Sequence, residues 1–278
     1  MNESASSADD RRPHVKSTLM RESLVGQHIG AKTRTDREVR ILPDMNVLAI
    51  GGMSILDRGR DALIPLLDAV IECRKDHKFV VGVGGGARLR HTFHICLDLG
   101  LPTGGLAMVA GAVDEQNSRM VWSLLASNKG MSLNKENFLE LPLWLDEGMI
   151  PVMACMPPYH FWEPPAGEQG LPMNGNDLGA FLFAEVLGAR SMIFIKDERG
   201  LYTADPKKDP RAEFIPKIGV RELLERDLPD LILEQACLES MLNARHMRSV
   251  QIINGLEPAL LARALEGEHV GTIIDADL

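Results

Sequence analysis

Cysteine is scarce in this 278-residue chain, and none of the four (Cys73, Cys96, Cys155 and Cys237) belongs to a CxxC pair. The expectation is small buried thiols in a reducing compartment, not a disulfide framework. Long apolar runs are missing as well. No stretch reaches 18 consecutive apolar residues, so no membrane span is expected. The N-terminal MNESASSADDRRPHVKS has no apolar h-region, so no secretory signal is read there. The cytoplasm follows by default. An excess of basic charge is also lacking: 30 Lys and Arg stand against 39 Asp and Glu, a formal net charge of −9. That balance argues against a general binder of nucleic acid or anionic membrane, which would present a basic face. No Gly-x-Ser-x-Gly elbow and no HExxH occur, and nothing suggests hydrolase chemistry.

What the chain does have is an ordinary core composition, 45% hydrophobic and 25% charged. A chain of this length buries roughly 75% of its unfolded surface and needs no staples. Residues 1–40 are polar, carry eight basic and six acidic side chains, and read as a flexible extension or as an arm that orders against a neighbouring subunit. Residues 41–278 contain no internal repeat and no low-complexity linker, so one domain is expected. MNVLAIGG from Met45 is a short apolar run stopped by glycines, as in a buried parallel strand. Helical spacing follows from about Arg60 to Cys73. KFVVGVGGG then repeats strand and glycine loop, and ARLRHTFHICLDLG continues as a helix. A helix is expected over 112–129, a strand at MIPVMACM, a helix at NDLGAFLFAEVLGA with Asn176 or Asp177 near its cap, and a strand at SMIFIKD. VRELLER and about Leu231–Met247 read as helices, SVQIING as a strand, EPALLARALEG as a helix and HVGTII as a last strand. Strands alternating with helices make this an α/β chain: a three-layer αβα sandwich on a mostly parallel sheet.

In such folds ligands sit beyond the carboxyl ends of the strands. Glycine is enriched (25 residues) and clusters there, at Gly51-Gly52 and Gly84-Gly85-Gly86. Glycine lets the backbone approach an anion, and a following helix adds partial positive charge at its N-terminus. The competing reading is a pair of tight strand-to-helix turns. Neither loop fits GxxxxGK[ST] or a GxGxxG between strand and helix, which counts against P-loop and nicotinamide enzymes. A third segment, IFIKDERGLYTADPKKDP (193–210), leaves a strand and enters a polar loop. Lys196 could reach a phosphate, Tyr202 could stack on a base, and Asp197 or Asp205 could touch a sugar or metal. Gly200 and Pro206 supply a permissive and a rigid point.

GLYTADPKK, the two glycine loops and the closing GEHVGTII resemble the amino acid kinase superfamily, in its uridylate kinase branch. ILPDMNVLAIGGMSILDRGRDALIPLLD, ARLRHTFHICLDLGLPTGGLA, ACMPPYHFWEPP and VQIINGLEPALLARALEGEHVGTII are similar to the molybdenum-storage family within it, its beta-type chains in particular. The likeness covers about residues 41–275. It implies the αβα fold, a hexameric cage built as a trimer of dimers, ATP binding with Mg2+, and molybdate or tungstate held as polyoxometalate clusters. It leaves open whether the hexamer is of one chain or includes a related alpha-type chain. By position, Gly51, Gly52, Gly84 and Gly85 would cradle phosphates. Lys196, Asp197, Tyr202, Asp205 and Pro206 would form the nucleotide pocket. Asp177 takes the place of an acidic residue near the transferring phosphate.

Two departures bear on chemistry. Kinases of this superfamily place a lysine two residues before the glycine pair, and here that position is Ala49. A cation there would stabilise charge on the transferred phosphoryl group. Arg199-Gly200 replaces the family's frequent Asp-Gly. A storage subunit with an ATP site, a nucleoside monophosphate kinase and a nucleotide-binding relative without catalysis therefore all stay open. For the oxyanion cargo the candidates are His160, in the MPPYHFWEPP loop, and Gln116, in VDEQN; the alternatives are a loop histidine and a helix-surface amide. Arg88, Arg90 and His91 add positive charge after the second glycine loop, or are solvated helix charge. His91 and His94 are three apart and lack a third zinc ligand. Met108, Met120, Met153 and Met156 read as core filler.

Overall fold

The computed structural model describes residues 39–156 and 171–278. Within 40–278 an eight-stranded sheet forms the middle layer. Its centre is β1 (Met45–Ile50), with all six residues buried. β2 (Lys78–Val83) and β5 (Ser191–Lys196) pair with it in parallel on either side. Beyond β2 lie β4 (Ile150–Ala154) and β3 (Gly130–Ser132); beyond β5 lie β9 (Ser249–Asn254), β10 (Thr272–Asp275) and β8 (Lys217–Gly219). Every neighbouring pair is parallel except β9 with β10. The mostly parallel sheet is as the sequence pattern predicts.

Alternation along β1 makes the three layers. Met45, Val47 and Ala49 join a core with α4 (Leu141–Asp146), α5 (Asn176–Leu187), α6 (Val220–Arg226) and α7 (Gln235–Asn243). Leu48 and Ile50 face the opposite core, closed by α1 (Arg60–Cys73), α8 (Ala259–Leu265) and the end of α3 (Thr103–Leu125). Successive side chains of a strand point to opposite faces, so a continuous apolar run is what a sheet covered on both sides requires. α2 (Gly86–Asp98) packs on α3 through Leu89, Phe93, Ala110 and Val113. Ile50 aligns with Val83 on one neighbour and with Ile195 on the other, so the turns after β1, β2 and β5 leave the sheet at one level.

Several boundaries differ from the sequence expectation. α3 spans Thr103–Leu125 instead of 112–129. Its first turns bury Leu106, Ala107, Ala110 and Gly111, and this small-residue stretch lacks the polar alternation that marks an amphipathic helix. It ends in a 3-10 turn and at Lys129, whose φ of 66° breaks the helix. The 231–247 helix shortens to Gln235–Asn243, and the last strand begins at Thr272. β3, β8, α4 and the two-residue ribbon strands β6 (Leu201–Tyr202) and β7 (Phe214–Ile215) are too short to carry a period. Met153 and Met156 are core, but Met108 and Met120 are exposed on α3. All four cysteines are free and buried. Among the described residues no helix is long and apolar enough to cross a membrane.

The closing Gly271-Thr272 ties the ribbon to the sheet. A Cβ on Gly271 would run into the Ile252 carbonyl, and one on Gly200 would run into Thr272. The buried Thr272 hydroxyl accepts the Leu201 N–H at 2.8 Å and donates to the Ile215 carbonyl at 2.5 Å.

Glu185 on α5 makes a second long-range tie, accepting the N–H groups of Arg245, His246 and Met247 at 2.8, 3.0 and 2.7 Å. Burial alone would raise its pKa, but these three donors overcome it and hold the carboxyl below its ordinary 4.5. A lowered folded-state pKa stabilises the fold at neutral pH, and that contribution is lost as the pH falls through it. Glu185→Ala should cost about 1–2 kcal/mol in urea unfolding at pH 7, the low half of the range because water reaches part of the carboxylate. The difference from the native chain should shrink at pH 3–4; an equal difference at both pH values would contradict this account.

Candidate functional site

The turns after β1 and β2 meet backbone to backbone. A Cβ on Gly52 would collide with the Gly86 N and Cα, and one on Gly84 would lie 3.2 Å from the Gly52 N. Gly51 donates to the Ile195 carbonyl at 2.9 Å and Gly84 to the Ile50 carbonyl at 3.1 Å, so both loops are pinned to the sheet's end. Among the described residues, no acceptor takes the N–H of Gly52 or of Gly86. Two adjacent amides without acceptors at a sheet's carboxyl edge are the kind of backbone donors that could donate to an anion.

The helix contribution is less direct than the sequence suggests. The first glycine pair is followed by a 3-10 turn, Leu56–Arg58, and α1 starts only after Gly59. α2 does start at Gly86, but its first turn already holds a carboxylate: the Ala87 N–H donates to Asp57 Oδ2 at 2.5 Å. α5 is treated alike. Glu234 accepts the Leu178 N–H at 3.0 Å at its N-terminus. Burial, with the Asp177 charge beside it, raises the Glu234 pKa.

The cation at this edge comes from β5. Lys196 Nζ lies 3.0 and 3.3 Å from the two Asp177 carboxylate oxygens, and both side chains are mostly shielded (14% and 16% exposed). Its Cδ lies 3.3 Å from where a Cβ on Gly51 would stand. Gly51, Gly52, Gly84, Asp177 and Lys196 thus form one cluster. Ala49, in the position where the superfamily resemblance implies a lysine, is 5% exposed and pairs with Gly82 and Phe194. It offers no charge.

Next to the cluster, Asp197 bridges two cations, Arg58 at 2.6 Å and Lys207 at 2.6 Å. Burial would raise its pKa, but the Lys207 and Arg58 hydrogen bonds overcome it and hold the carboxyl low. Asp205 and Pro206 form a turn in which the Lys207 N–H donates to Asp205 Oδ1 at 2.9 Å, and Lys207 itself holds the turn beside Asp197. Tyr202, half-buried on the ribbon, packs edge-on against Phe214 at 5.5 Å, and Arg199 lies 4.2 Å over the same Phe214 ring.

Three polar residues sit beneath the second loop: Asn176, which the sequence marks only as a candidate cap, and Asp114 and Asn117, which the sequence reading passed over. Asp114 and Asn117 on α3 are fully buried. Asn117 donates to the Gly84 and Gly85 carbonyls at 2.8 and 2.9 Å and accepts from Arg88. Asp114 accepts the Met156 N–H at 3.0 Å. Asn176, its amide oriented to satisfy both neighbours, donates to Asp114 Oδ2 and accepts the Gly85 N–H at 2.9 Å. Asp114 Oδ1 has no partner. Burial pushes this carboxyl up to about 8. The signal was available: 110, 114, 117, 121 and 125 fall on one helical face.

Gln116 lies away from the cluster, on the exposed side of α3, and accepts from Arg88 Nη1 at 2.9 Å. It helps line an open hollow of about 490 Å³ with Glu115, Arg119 and Met120. Arg90, His91 and His94 are exposed on α2. No group of three or more metal-ligating side chains occurs among the described residues. His160 lies outside them.

The contact between loops can be tested against an ordinary glycine. Gly52→Ala forces a Cβ into backbone and should cost about 1–3 kcal/mol. Gly105→Ala, in α3 with its nearest contact at 3.5 Å, should gain about 0.5–1 kcal/mol. Thermal unfolding of both variants decides; a Gly52→Ala protein as stable as the native chain would refute the close approach.

Comparison with known proteins fits this geometry. The family model described as Amino acid kinase family matches residues 44–255. The molybdenum storage protein subunit beta of Azotobacter vinelandii is 45% identical over 262 residues, covering 94% of this chain and 97% of its own. A uridylate kinase of Methanothermobacter thermautotrophicus is 28% identical over 236 residues, covering 82% and 98%. Among solved structures, the UMP kinase of Bacillus anthracis superposes with a TM-score of 0.65 at 19% identity, covering 85% of this chain and 98% of that one. The uridylate kinase of Archaeoglobus fulgidus superposes at 0.62 with 21% identity, covering 82% and 99%. At those identities the superpositions speak for the fold alone. With the glycine-loop edge, the matched family model and the long alignment to a storage subunit together, the chain belongs to the amino acid kinase family.

Proposed function

We propose that this chain is a subunit of a molybdenum or tungsten storage assembly, a hexameric cage that binds ATP and holds molybdate or tungstate as polyoxometalate clusters. The observation that carries this reading is the 45% identity, over nearly the full length of both chains, to a protein named as a molybdenum storage subunit. The name of that relative, subunit beta, favours a cage completed by a related alpha-type chain over one made of this chain alone.

The residues present fit a nucleotide with Mg2+. The acceptor-less N–H groups of Gly52 and Gly86 suit phosphate oxygens, with Gly51, Gly84 and Gly85 giving the close approach. Lys196 sits beside them. Asp177 would share a Mg2+ ion with the phosphates, the usual way a protein holds that ion with one or two carboxylates. Asp197, Tyr202, Asp205 and Pro206 lie along the adjoining turn, where the sugar and base would go. Lys196 is balanced by Asp177 in the free protein, so an arriving phosphate would compete for it, and the carboxylate so released would be the one to hold a Mg2+ ion. His160 and Gln116 remain the candidates for cargo contacts.

A uridylate kinase is the second reading, favoured by the 28% and 29% identical relatives named for that activity. Ala49 weighs against it. A buried methyl group cannot stabilise the transferring phosphoryl charge, and such electrostatic stabilisation is where the rate comes from.

The protein, alone and co-expressed with an alpha-type partner, should be loaded with molybdate or tungstate and ATP, isolated as the assembled oligomer, and analysed for metal. Many metal atoms per oligomer are expected, together with little or no UMP phosphorylation. A metal-free oligomer under both conditions, or robust UMP phosphorylation, would sink the storage reading. Lys196→Ala should weaken ATP binding in calorimetry tenfold or more, about 1.4 kcal/mol.

A further inference from the structure

The second glycine loop is held from below by side chains that no part of the proposed nucleotide or cargo chemistry uses. Asp114 and Asn117 lie one turn apart on α3 and are fully buried. Asn117 takes the loop's carbonyls, Gly84 O and Gly85 O, with one amide group. Asp114 reaches three segments distant in the chain. Its Oδ2 accepts from the Met156 backbone, where the chain leaves β4, and from Asn176, the residue before Asp177. Its Oδ1 would stand 2.7 Å from a Cβ on Gly85, so only glycine fits above it. Asn176 closes the ring by accepting the Gly85 N–H.

A hydrophobic residue would fill the same volume in a core without leaving a polar atom unpaired. A buried oxygen with no partner is costly, so its presence needs a reason. Here the reason is geometric. One carboxyl joins the loop after β2, the start of the segment after β4, and the start of α5. Two of those places, the loop after β2 and the start of α5, carry phosphate-side groups of the proposed site, Gly84–Gly86 and Asp177.

We propose that Asp114 is the positioning residue of this site, fixing the Gly84–Gly86 loop, the chain at Met156 and the Asn176-Asp177 start of α5 in one mutual register, with Asn117 as its partner on the loop carbonyls. It touches no substrate and acts through Gly85 and Asn176. The use of this register by a nucleotide rests on the function proposed above; the register itself does not.

Amide hydrogen exchange by mass spectrometry on the unliganded full chain separates the two. Asp114→Ala should speed exchange at least tenfold in the peptides covering 84–87 and 174–178 together. Asp114→Asn keeps shape and hydrogen-bond count in the neutral form and should leave both within twofold. Leu265→Ala, a core cavity on α8, controls for lost stability and should leave both within twofold. Should Asp114→Ala fail to fold, Asn176→Ala, at a half-buried position, must speed exchange over 84–87. Faster exchange in only one segment, in neither, or equally in Leu265→Ala overturns the proposal. ATP titration adds the functional arm. Where the native chain binds ATP, Asp114→Ala should weaken it tenfold or more and Asp114→Asn less than threefold; equal affinity in Asp114→Ala overturns the link to the ligand. If the native chain binds no ATP, the nucleotide reading fails, and the exchange result still decides whether Asp114 sets the register.

Discussion

Gly52 and Gly86 approach so closely that a methyl group on the former has nowhere to go, and the rest of the edge is arranged around that contact. The approach is possible because β1 and β2 run parallel, in register, and end together. It turns two separate strand-end loops into one concave backbone surface. Lys196 joins it because β5 flanks β1 on the other side with its last residues at the same height. Asp177 joins because α5 begins beside Gly84, where Asn176 bridges the gap. A parallel sheet with level ends is thus the device that collects short sequence motifs from four places in the chain.

Electrostatically the edge is organised by local pairing within an acidic protein. The chain carries −9, yet each carboxylate near the loops has an assigned donor: Asp57 the α2 amide, Glu234 the α5 amide, Asp177 the Lys196 ammonium, Asp197 the Arg58 and Lys207 cations. Net charge therefore says little about anion recognition here. What matters is which donors are left over and which carboxylates yield. Two helix N-termini that would attract anions are already satisfied from within, so an anion reaching this edge would be left the loop amides and one lysine.

The central sheet and most helices were readable because their residues leave few alternatives. Apolar runs closed by double glycines admit only buried strands with tight exits, and NDLGAFLFAEVLG starts and stops where its helix does. The glycine pairs, Lys196 and Asp177 were legible for the same reason: each stands at a strand end or helix start. Asp114 and Asn117 were hidden because AVDEQN looks like a solvated helix surface. The shared face with Val121 and Leu125 puts them inward, and the extension of the helix back to Thr103 puts Met108 on the outer face beside Met120. The lost amphipathic contrast at TGGLAMVAGA concealed the first turns of that helix and the outward Met108. The ribbon that carries Tyr202 was illegible as strand because two residues have no period; what fixes it is a hydrogen bond to a residue 71 positions away.

That long reach has a consequence for the order in which the molecule can be assembled during synthesis. β1, β2, β4 and β5 are adjacent, parallel and complete once residue 196 has emerged, so a sheet with both glycine loops can condense early. The ribbon cannot lock onto it until Thr272 is made, because Leu201 and Ile215 both wait for the same hydroxyl. The glycine-loop end of the sheet is therefore a product of early chain, and the docked ribbon beyond Asp197 a product of late chain. A ribosome paused between the two would hold a nascent protein whose glycine loops are formed and whose Tyr202 ribbon is still undocked.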